Sequence, residues 1–329
     1  MEMRCKSRPK FQIQKRAYVL SDLEKVVGII LLNLHKRIFH FLAHETIRLE
    51  ILHQSPLQFY ISSITTMKDE VFLLGKRGRH CHTMTVYDRN NMPEVKEVVS
   101  LARLHPKSIV ACSVSNCVYV LSIKRRYRCS IVRIASDGEH WSTKTPLISY
   151  LSLREPTLCV TANGCLIISG QQTEELAPIS VWDANGSLQR EIRLSDDILN
   201  VVSYFWHVIP KSNGNLVLAV AGAPNILMEI DLDGIIILQH DFLLSCDYKC
   251  ATSHGDSYGR VLNIDFYQNM KLFDAEFNLV EFTGPQLGGG FYFTPHDLGY
   301  NSERNELVTI VSLQGYQNGC LVIFHFTEM

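Results

Sequence analysis

The sequence predicts an all-β fold: a six-bladed β-propeller of four-stranded antiparallel blades, with one N-terminal helix. Two observations support this. A short apolar segment recurs six times, starting at residues 70, 117, 165, 215, 260 and 306, so that the intervals are 47, 48, 50, 45 and 46 residues. A second apolar segment follows each of these, from Met84–Asp88 in the first repeat to Cys320–Phe324 in the last. Strand-rich repeats of roughly 40–50 residues are typical of propellers.

Residues 1–45 are predicted to form a basic segment followed by the helix. Ser21-Asp22-Leu23-Glu24 has the spacing of a capping box. The apolar residues after it recur at helical spacing, and three interpretations remain open. The helix docks on the propeller, it anchors the chain in a membrane, or it forms a dimer through Leu20, Leu23, Val27, Ile30 and Leu34. The membrane interpretation is the least favoured, because Val26–Leu34 is too short to span a bilayer.

Residues 46–329 are predicted to form the propeller. The last repeat lacks a fourth strand, and an unpaired sheet edge is normally covered. Residues 46–52 alternate apolar and charged side chains, so we expect them to pair with Cys320–Phe326 and close the ring. Asn-Gly and Asp-Gly pairs mark the turns, at Asn163, Asn185, Asn213 and Asp233. The blades are placed at about 56–101, 102–147, 148–197, 198–244, 245–287 and 288–329.

Composition indicates a folded protein with an uneven charge distribution. Apolar residues make up 46% of the chain and charged residues 20%. The net charge of -1 combines 24 Lys+Arg and 12 Asp+Glu in residues 1–150 with 8 and 21 in the remainder. Such asymmetry steers partners when it is exposed. The ten cysteines lack paired zinc-site spacing, and no signal peptide is recognised. We therefore expect a reducing, cytoplasmic location.

The repeats resemble NHL-type propeller repeats. The resemblance rests on an aromatic-Asp pair before a turn, in Val86-Tyr87-Asp88, Val181-Trp182-Asp183 and Leu272-Phe273-Asp274, and on Pro295-His296-Asp297-Leu298. Most blades lack the Arg-Val pair that usually precedes the aromatic residue, and the Gly-His signature of WD repeats is absent. The resemblance implies a binding platform more often than an enzyme. Relatives in this family include protein- and RNA-binding modules, and also hydrolases and lyases with a metal in the central channel.

Two basic clusters are predicted in the turn between the second and third strands of consecutive blades. They consist of Lys76, Arg77 and Arg79, and of Lys124, Arg125, Arg126, Tyr127 and Arg128. Equivalent turns lie on one face of a propeller, so the clusters are expected to adjoin. Lys and Arg neutralise phosphates and Tyr stacks on bases, which keeps RNA as an alternative to an acidic protein or a merely solvated surface.

Three histidines define the enzymatic alternative. His207, His254 and His296 fall in or near the strands that line the channel, and three imidazoles are enough to hold a catalytic zinc. Separate histidines with local hydrogen bonds remain the favoured interpretation. His80-Cys81-His82 is expected to be a loop tip, and Asp231 and Asp233 to serve a hairpin turn rather than calcium. The first hypothesis is thus a non-enzymatic, protein-binding scaffold without a cofactor.

Overall fold

The computed structural model describes most of the chain after residue 46. The described ranges are 47–56, 60–77, 81–92, 94–102, 104–124, 128–137, 140–172, 175–176, 178–194, 204–221, 225–242, 250–255, 260–265, 270–280, 282–283, 291–301, 303–313 and 320–328. The predicted helix, the predicted dimer seam through Leu20 and its neighbours, and Arg79, Arg125, Arg126 and Tyr127 of the basic clusters lie outside these ranges. One turn of 3₁₀-helix, Arg89–Asn91, is the helical element within them.

The described strands form six sheets, numbered here in chain order. Sheet 1 contains β2 (Tyr60–Met67), β3 (Glu70–Arg77), β4 (Cys81–Asp88) and β5 (Val95–Ser100). Sheet 2 contains β6 (Pro106–Cys112), β7 (Cys117–Lys124), β8 (Arg128–Ser136) and β9 (Trp141–Ser152). Sheet 3 contains β10 (Arg154–Val160), β11 (Leu166–Gln172), β12 (Glu175–Leu176), β13 (Ile179–Trp182) and β14 (Leu188–Ile192).

The second half of the chain continues the pattern. Sheet 4 contains β15 (Tyr204–Pro210), β16 (Leu216–Ala221), β17 (Asn225–Ile230) and β18 (Ile236–Phe242). Sheet 5 contains β19 (Cys250–Gly255), β20 (Val261–Asp265), β21 (Met270–Phe273) and β22 (Leu279–Val280). Sheet 6 contains β24 (Phe291–Asn301), β25 (Glu306–Leu313) and β26 (Cys320–Glu328), together with β1 (Ile47–Pro56) and β23 (Phe282–Thr283).

The sheets are arranged in a ring. The first strand of each sheet contacts the first strand of the next, from β2 through β6, β10, β15, β19 and β24 back to β2. Apolar clusters fill the spaces between neighbouring sheets; in one of them, Phe72 and Met84 of sheet 1 pack with Val118 and Trp141 of sheet 2. Because one such core is repeated around a closed ring of antiparallel sheets, the architecture is that of a β-propeller.

The ring is closed by β1. This strand pairs antiparallel with β26, from Ile47 opposite Glu328 to Pro56 opposite Cys320, so the expected pairing is present. Its first residues also pair in parallel with β23, which the sequence did not indicate. β1 therefore covers the edge that β26 would otherwise expose.

Two predicted boundaries need correction. The closing strand extends beyond residue 52 to Pro56, because a bulge between Ile51 and His53 lets pairing with β26 resume. The second sheet extends beyond residue 147, since β9 runs to Ser152. Register shifts along the pairing of β8 with β9 absorb the extra residues of the longer strand.

An aspartate caps the turn after the third strand in sheets 1 to 5. In sheet 4, Asp231 Oδ1 accepts hydrogen bonds of 2.9 Å from the backbone N–H groups of Asp233 and Ile235. The same role is taken in the other sheets by Asp88, Asp137, Asp183 and Asp274. This local bonding explains why the aspartate recurs, and it gives Asp231 the turn role expected from the sequence.

Candidate functional site

The propeller has two faces that differ in the connections they carry. Successive antiparallel strands place the turns between second and third strands, and the linkers between sheets, on one face. We call this the linker face; the strand ends at Arg77, Cys81, Lys124 and Arg128 lie on it, as do the linker ends Leu101 and His105. The ladders support the placement, because Arg77 pairs with Cys81 at the end of sheet 1 and Lys124 pairs with Arg128 at the end of sheet 2.

The linker between sheets 1 and 2 runs between the two basic turns. Leu101 N donates a 2.9 Å hydrogen bond to the carbonyl oxygen of His82, which fixes the linker to β4. At its other end, His105 N donates to Ser122 Oγ at 3.1 Å, and His105 O accepts from Ile123 N at 2.9 Å. The linker is thus tied to β4, which follows the first basic turn, and to β7, which precedes the second.

Two histidine rings meet between the turns. The rings of His82 and His105 are 6.3 Å apart between centroids and inclined at 75°. His82 is half-buried and lies opposite Lys76 in the β3–β4 ladder, whereas His105 is exposed. The sequence placed His82 in a loop tip; it lies within β4 instead, because β4 begins at Cys81. The contact with His105 was not predicted, since it depends on the path of the linker.

The charged residues of this region are all basic. Segments 74–84, 99–107 and 120–130 together hold nine Lys+Arg and three His, but no Asp or Glu. We call these three segments the basic site. Lys76 and Lys107 are exposed in it, as is Arg128. Arg77 and Lys124 end their strands here, and the structure does not describe their side chains.

Two cations at the opposite end of sheet 1 have carboxylate partners. Lys96 binds Glu70 within sheet 1, and this hydrogen bond raises the pKa of Lys96. Arg89 binds Glu306 across the seam between sheets 1 and 6, at 2.9 Å from Nε to Oε2. These two cations of sheet 1 are therefore paired with carboxylates, while the basic site contains no carboxylate in its own sequence.

An aromatic side chain adjoins the basic site toward the channel. Tyr60 begins β2 directly opposite Lys76, and 51% of its surface is exposed. The sequence gave no signal for this neighbour, because the register of β2 against β3 was not known. Tyr60 adds a flat apolar surface beside the cations.

The three channel histidines all lie in first strands of their sheets, as predicted. His207 is in β15, next to a register shift, and is half-buried. His254 is in β19 and His296 in β24, but the structure does not describe their side chains. Among the described side chains, no group of three or more His, Cys, Asp or Glu is placed to hold a metal ion. A site shared by the three histidines thus stays a prediction.

The described cysteines are free thiols, and most of them are buried. Burial raises the pKa of Cys129 to about 11, so this thiol is protonated and unreactive at neutral pH. In the part of the chain that the structure describes, no helix has the length and hydrophobicity needed to cross a bilayer.

These features make the chain a β-propeller protein. Comparison with solved structures supports this class: the chain is similar to the beta-propeller domain of the Trilobed protease from Pyrococcus furiosus, which is described as having an open velcro topology. The similarity has a TM-score of 0.53 at 12% sequence identity, and covers 82% of this chain and 98% of that domain. At this identity the likeness concerns the fold alone. No protein-family model and no curated protein matches the sequence.

Proposed function

We propose that this chain is a non-enzymatic interaction module, a six-bladed, NHL-like propeller whose basic site binds an acidic segment of another protein. The observation that carries the proposal is that nine Lys+Arg, without any Asp or Glu, occur in three segments whose described strand ends lie on the linker face. The aspartates that cap the turns after third strands support the NHL-like interpretation of the repeats.

Charge is the physical basis of the proposed recognition. Exposed cations with no carboxylate among them repel one another, and an anionic partner removes this repulsion on binding. Lys76 lies opposite His82 in sheet 1 and Arg128 lies opposite Lys124 in sheet 2, so a partner segment that spans the linker between the two sheets would meet both. Electrostatic complementarity of this kind mainly raises the association rate and weakens with salt.

RNA is the second candidate, and one observation favours it. Tyr60 is exposed and lies opposite Lys76, which pairs a stacking surface with a cation. Proteins that bind single-stranded nucleic acid combine aromatic side chains with a positively charged groove. Tyr127 belongs to the same basic site in sequence.

A matched pair of charge reversals tests the proposal. The variant Lys76→Glu/Arg128→Glu changes two exposed cations of the basic site, and the control Lys68→Glu/Arg193→Glu changes two exposed cations elsewhere. Both alter the net charge by the same amount. The probes are a polyglutamate peptide of about ten residues and an oligouridylate of similar charge, titrated at several salt concentrations.

We expect the basic-site variant to lose at least about ten-fold in affinity for polyglutamate, equivalent to about 1.4 kcal/mol, and the control to lose little. The difference should shrink at high salt. Tighter, salt-dependent binding of the oligouridylate, weakened by Tyr60→Ala, would favour RNA instead. Equal affinities of both variants for both probes would reduce the basic site to a solvated surface.

The metal-dependent hydrolase or lyase stays a prediction, and the zinc content of the purified protein tests it. If His207, His254 and His296 hold zinc, the purified protein carries about one zinc per chain and the triple alanine variant carries none. We expect the zinc content to be far below one and unchanged by the triple substitution. Stoichiometric zinc that depends on these histidines would restore the enzymatic alternative.

A further inference from the structure

Two side chains of the basic site lie on the side of sheet 1 that faces sheet 2. Lys76 and His82 are directly opposite each other in the ladder of β3 with β4, and such cross-strand pairs project from the same side of a sheet. Side chains alternate along a strand, so Lys76 shares its side with Leu74, and His82 shares its side with Met84. Leu74 and Met84 belong to the core between sheets 1 and 2. Lys76 and His82 therefore lie beyond this core, at its linker-face end.

An arginine of sheet 2 lies on the opposing side of the same space. In β8, Cys129 and Ile131 pack in the cluster between sheets 2 and 3, whereas Ile134 packs in the core between sheets 1 and 2. The ladder of β7 with β8 is regular from Arg128 onward, so alternation places Arg128 on the side of sheet 2 that faces sheet 1. Arg128 is exposed, as is Lys76. Cations from both sheets thus border the linker-face end of the space between them.

The linker brings a second imidazole to this space. His105 is exposed, and its ring contacts that of His82 at 6.3 Å between centroids. Its backbone N–H donates to Ser122 Oγ at 3.1 Å, and Ser122 shares with Val120 the side of β7 that faces sheet 1. An imidazole carries at least one N–H donor whether it is neutral or protonated. Both rings therefore add donors to those of the lysine and the arginine.

The strand neighbours of the two cations are not carboxylates. Lys76 lies between Tyr60 and His82 in sheet 1. Arg128 lies between another lysine and Ser152 in sheet 2. Directly opposite residues are the closest cross-strand neighbours of a side chain, so these positions are where a neutralising carboxylate would be most effective. An external anion therefore meets cations that their own ladders leave without a carboxylate.

A phosphate monoester matches this set of groups better than a single carboxylate does. Phosphoserine and phosphothreonine carry nearly two negative charges at neutral pH and three strong acceptor oxygens. A carboxylate has one charge and two oxygens, and each phosphodiester of a nucleic acid also has one charge. One ammonium, one guanidinium and two imidazoles come here from sheet 1, sheet 2 and the linker. Such convergence of donors on one space is typical of phosphorylated-residue recognition.

We propose that Lys76, His82, His105 and Arg128 form a site for the phosphoryl group of a phosphoserine or phosphothreonine in the acidic partner segment. The proposal rests on the proposed function, because it names the group that the basic site recognises within an acidic segment. Acidic residues beside the phosphorylated one add the longer-range attraction of the basic site as a whole.

The test uses the full chain and three glutamate-rich peptides that differ at their centre. One carries phosphoserine, one carries two glutamates that give the same net charge, and one carries serine. The variant His105→Gln removes an exposed imidazole and leaves the cations of both sheets in place. Its matched control is His140→Gln, which removes an exposed imidazole in the turn before β9, on the opposite face. Binding is titrated at one salt concentration, and the variant Lys76→Glu/Arg128→Glu is measured alongside.

We expect the phosphoserine peptide to bind at least about ten-fold more tightly than the peptide of equal charge. His105→Gln should reduce this preference to less than about three-fold, while His140→Gln keeps it and both variants retain the melting temperature. Equal affinity for these two peptides, or a preference that survives in His105→Gln, overturns the phosphoryl site alone.

Failure of the proposed function gives a different result. If Lys76→Glu/Arg128→Glu binds all three peptides as the natural protein does, both proposals are overturned. An oligouridylate of equal charge that displaces the phosphoserine peptide overturns the phosphoryl site in favour of RNA.

Discussion

Arg89 and Glu306, 217 residues apart in the sequence, form a bidentate ion pair across the seam where sheet 6 meets sheet 1. Arg89 Nε lies 2.9 Å from Glu306 Oε2 and Nη2 lies 3.0 Å from Oε1. Glu306 is buried at the start of β25, and Arg89 begins the 3₁₀ turn after β4. Two parallel hydrogen bonds fix the geometry of both groups, so the pair holds the last sheet of the ring against the first.

Arg89→Ala should destabilise the protein by about 3–5 kcal/mol, because it leaves the buried Glu306 carboxylate without its partner. The control is Arg304→Ala at the same seam, whose ion pair with Asp69 is largely exposed and should be worth less than about 1 kcal/mol. Urea unfolding measures both. Similar losses for the two variants would show that Arg89–Glu306 does not stabilise the seam in this way.

Removal of β1 should open the ring. Deleting residues 1–56 exposes the edge of β26, where Val322, Ile323 and Phe324 are fully buried in the intact fold. We expect the melting temperature to fall by about 10 °C or more, with increased aggregation. Deletion of residues 1–45 is the control, because it retains β1. If the protein without β1 has the same melting temperature as this control, closure of the ring by β1 is wrong.

Substitution of two glycines with similar φ distinguishes the cost of backbone strain from the cost of a steric contact. Gly214 and Gly234 both have positive φ, at 90° and 84°. A Cβ at Gly214 would contact nothing, but one at Gly234 would lie 2.5 Å from Arg193 O of sheet 3. Gly214→Ala should therefore lower the free energy of unfolding by about 1–2 kcal/mol, because alanine is strained in a left-handed backbone conformation. Gly234→Ala should cost about 1–3 kcal/mol more, because the turn must move away from sheet 3. Equal losses in thermal unfolding would mean that this contact relaxes freely.

The carboxyl group of Glu229 should make stability depend on acid pH. Burial opposes its ionisation, but hydrogen bonds from Asn215, Lys211 and Asn213 outweigh that effect and lower its pKa. A lowered folded pKa means stabilisation that is complete above the ordinary value of 4.5 and is lost as pH falls through the folded value. The stability advantage of the natural protein over Glu229→Gln should shrink between pH 7 and acid pH. A constant advantage in urea unfolding would refute this linkage.

Local features of the sequence predicted the strands and their turns. The spacing of apolar segments predicted the repeat, because a strand that packs on both sides needs a continuous apolar run. The aspartates were predicted to lie at turns because they bond to their own following backbone, as Asp231 and Asp274 do. Closure by β1 was predictable for a related reason, since the last repeat visibly lacks a strand.

The preference for glycine at a positive-φ turn position fails where packing against a neighbouring sheet outweighs it. In sheet 5, Phe277 occupies the turn position that Gly186 and Gly234 occupy in sheets 3 and 4, with φ of 62°. Its N–H donates to Asp274 O at 3.1 Å, as the glycines donate to their aspartates. The ring is fully buried, with Lys211 Nζ of sheet 4 at 5.9 Å from its centroid. Burial of the ring offsets the strain of a positive φ, and this burial depends on the neighbouring sheet.

The sequence by itself determined the repeated strands and the turn chemistry. Only the tertiary structure decided which residues meet across sheets: His82 with His105, Arg89 with Glu306, and Arg190 with Leu232. It also decided that the isoleucines of β18 are exposed rather than buried. The physical reason is that strand pattern and turn geometry depend on neighbours in the chain, whereas contacts between sheets depend on register, on bulges and on the path of each linker.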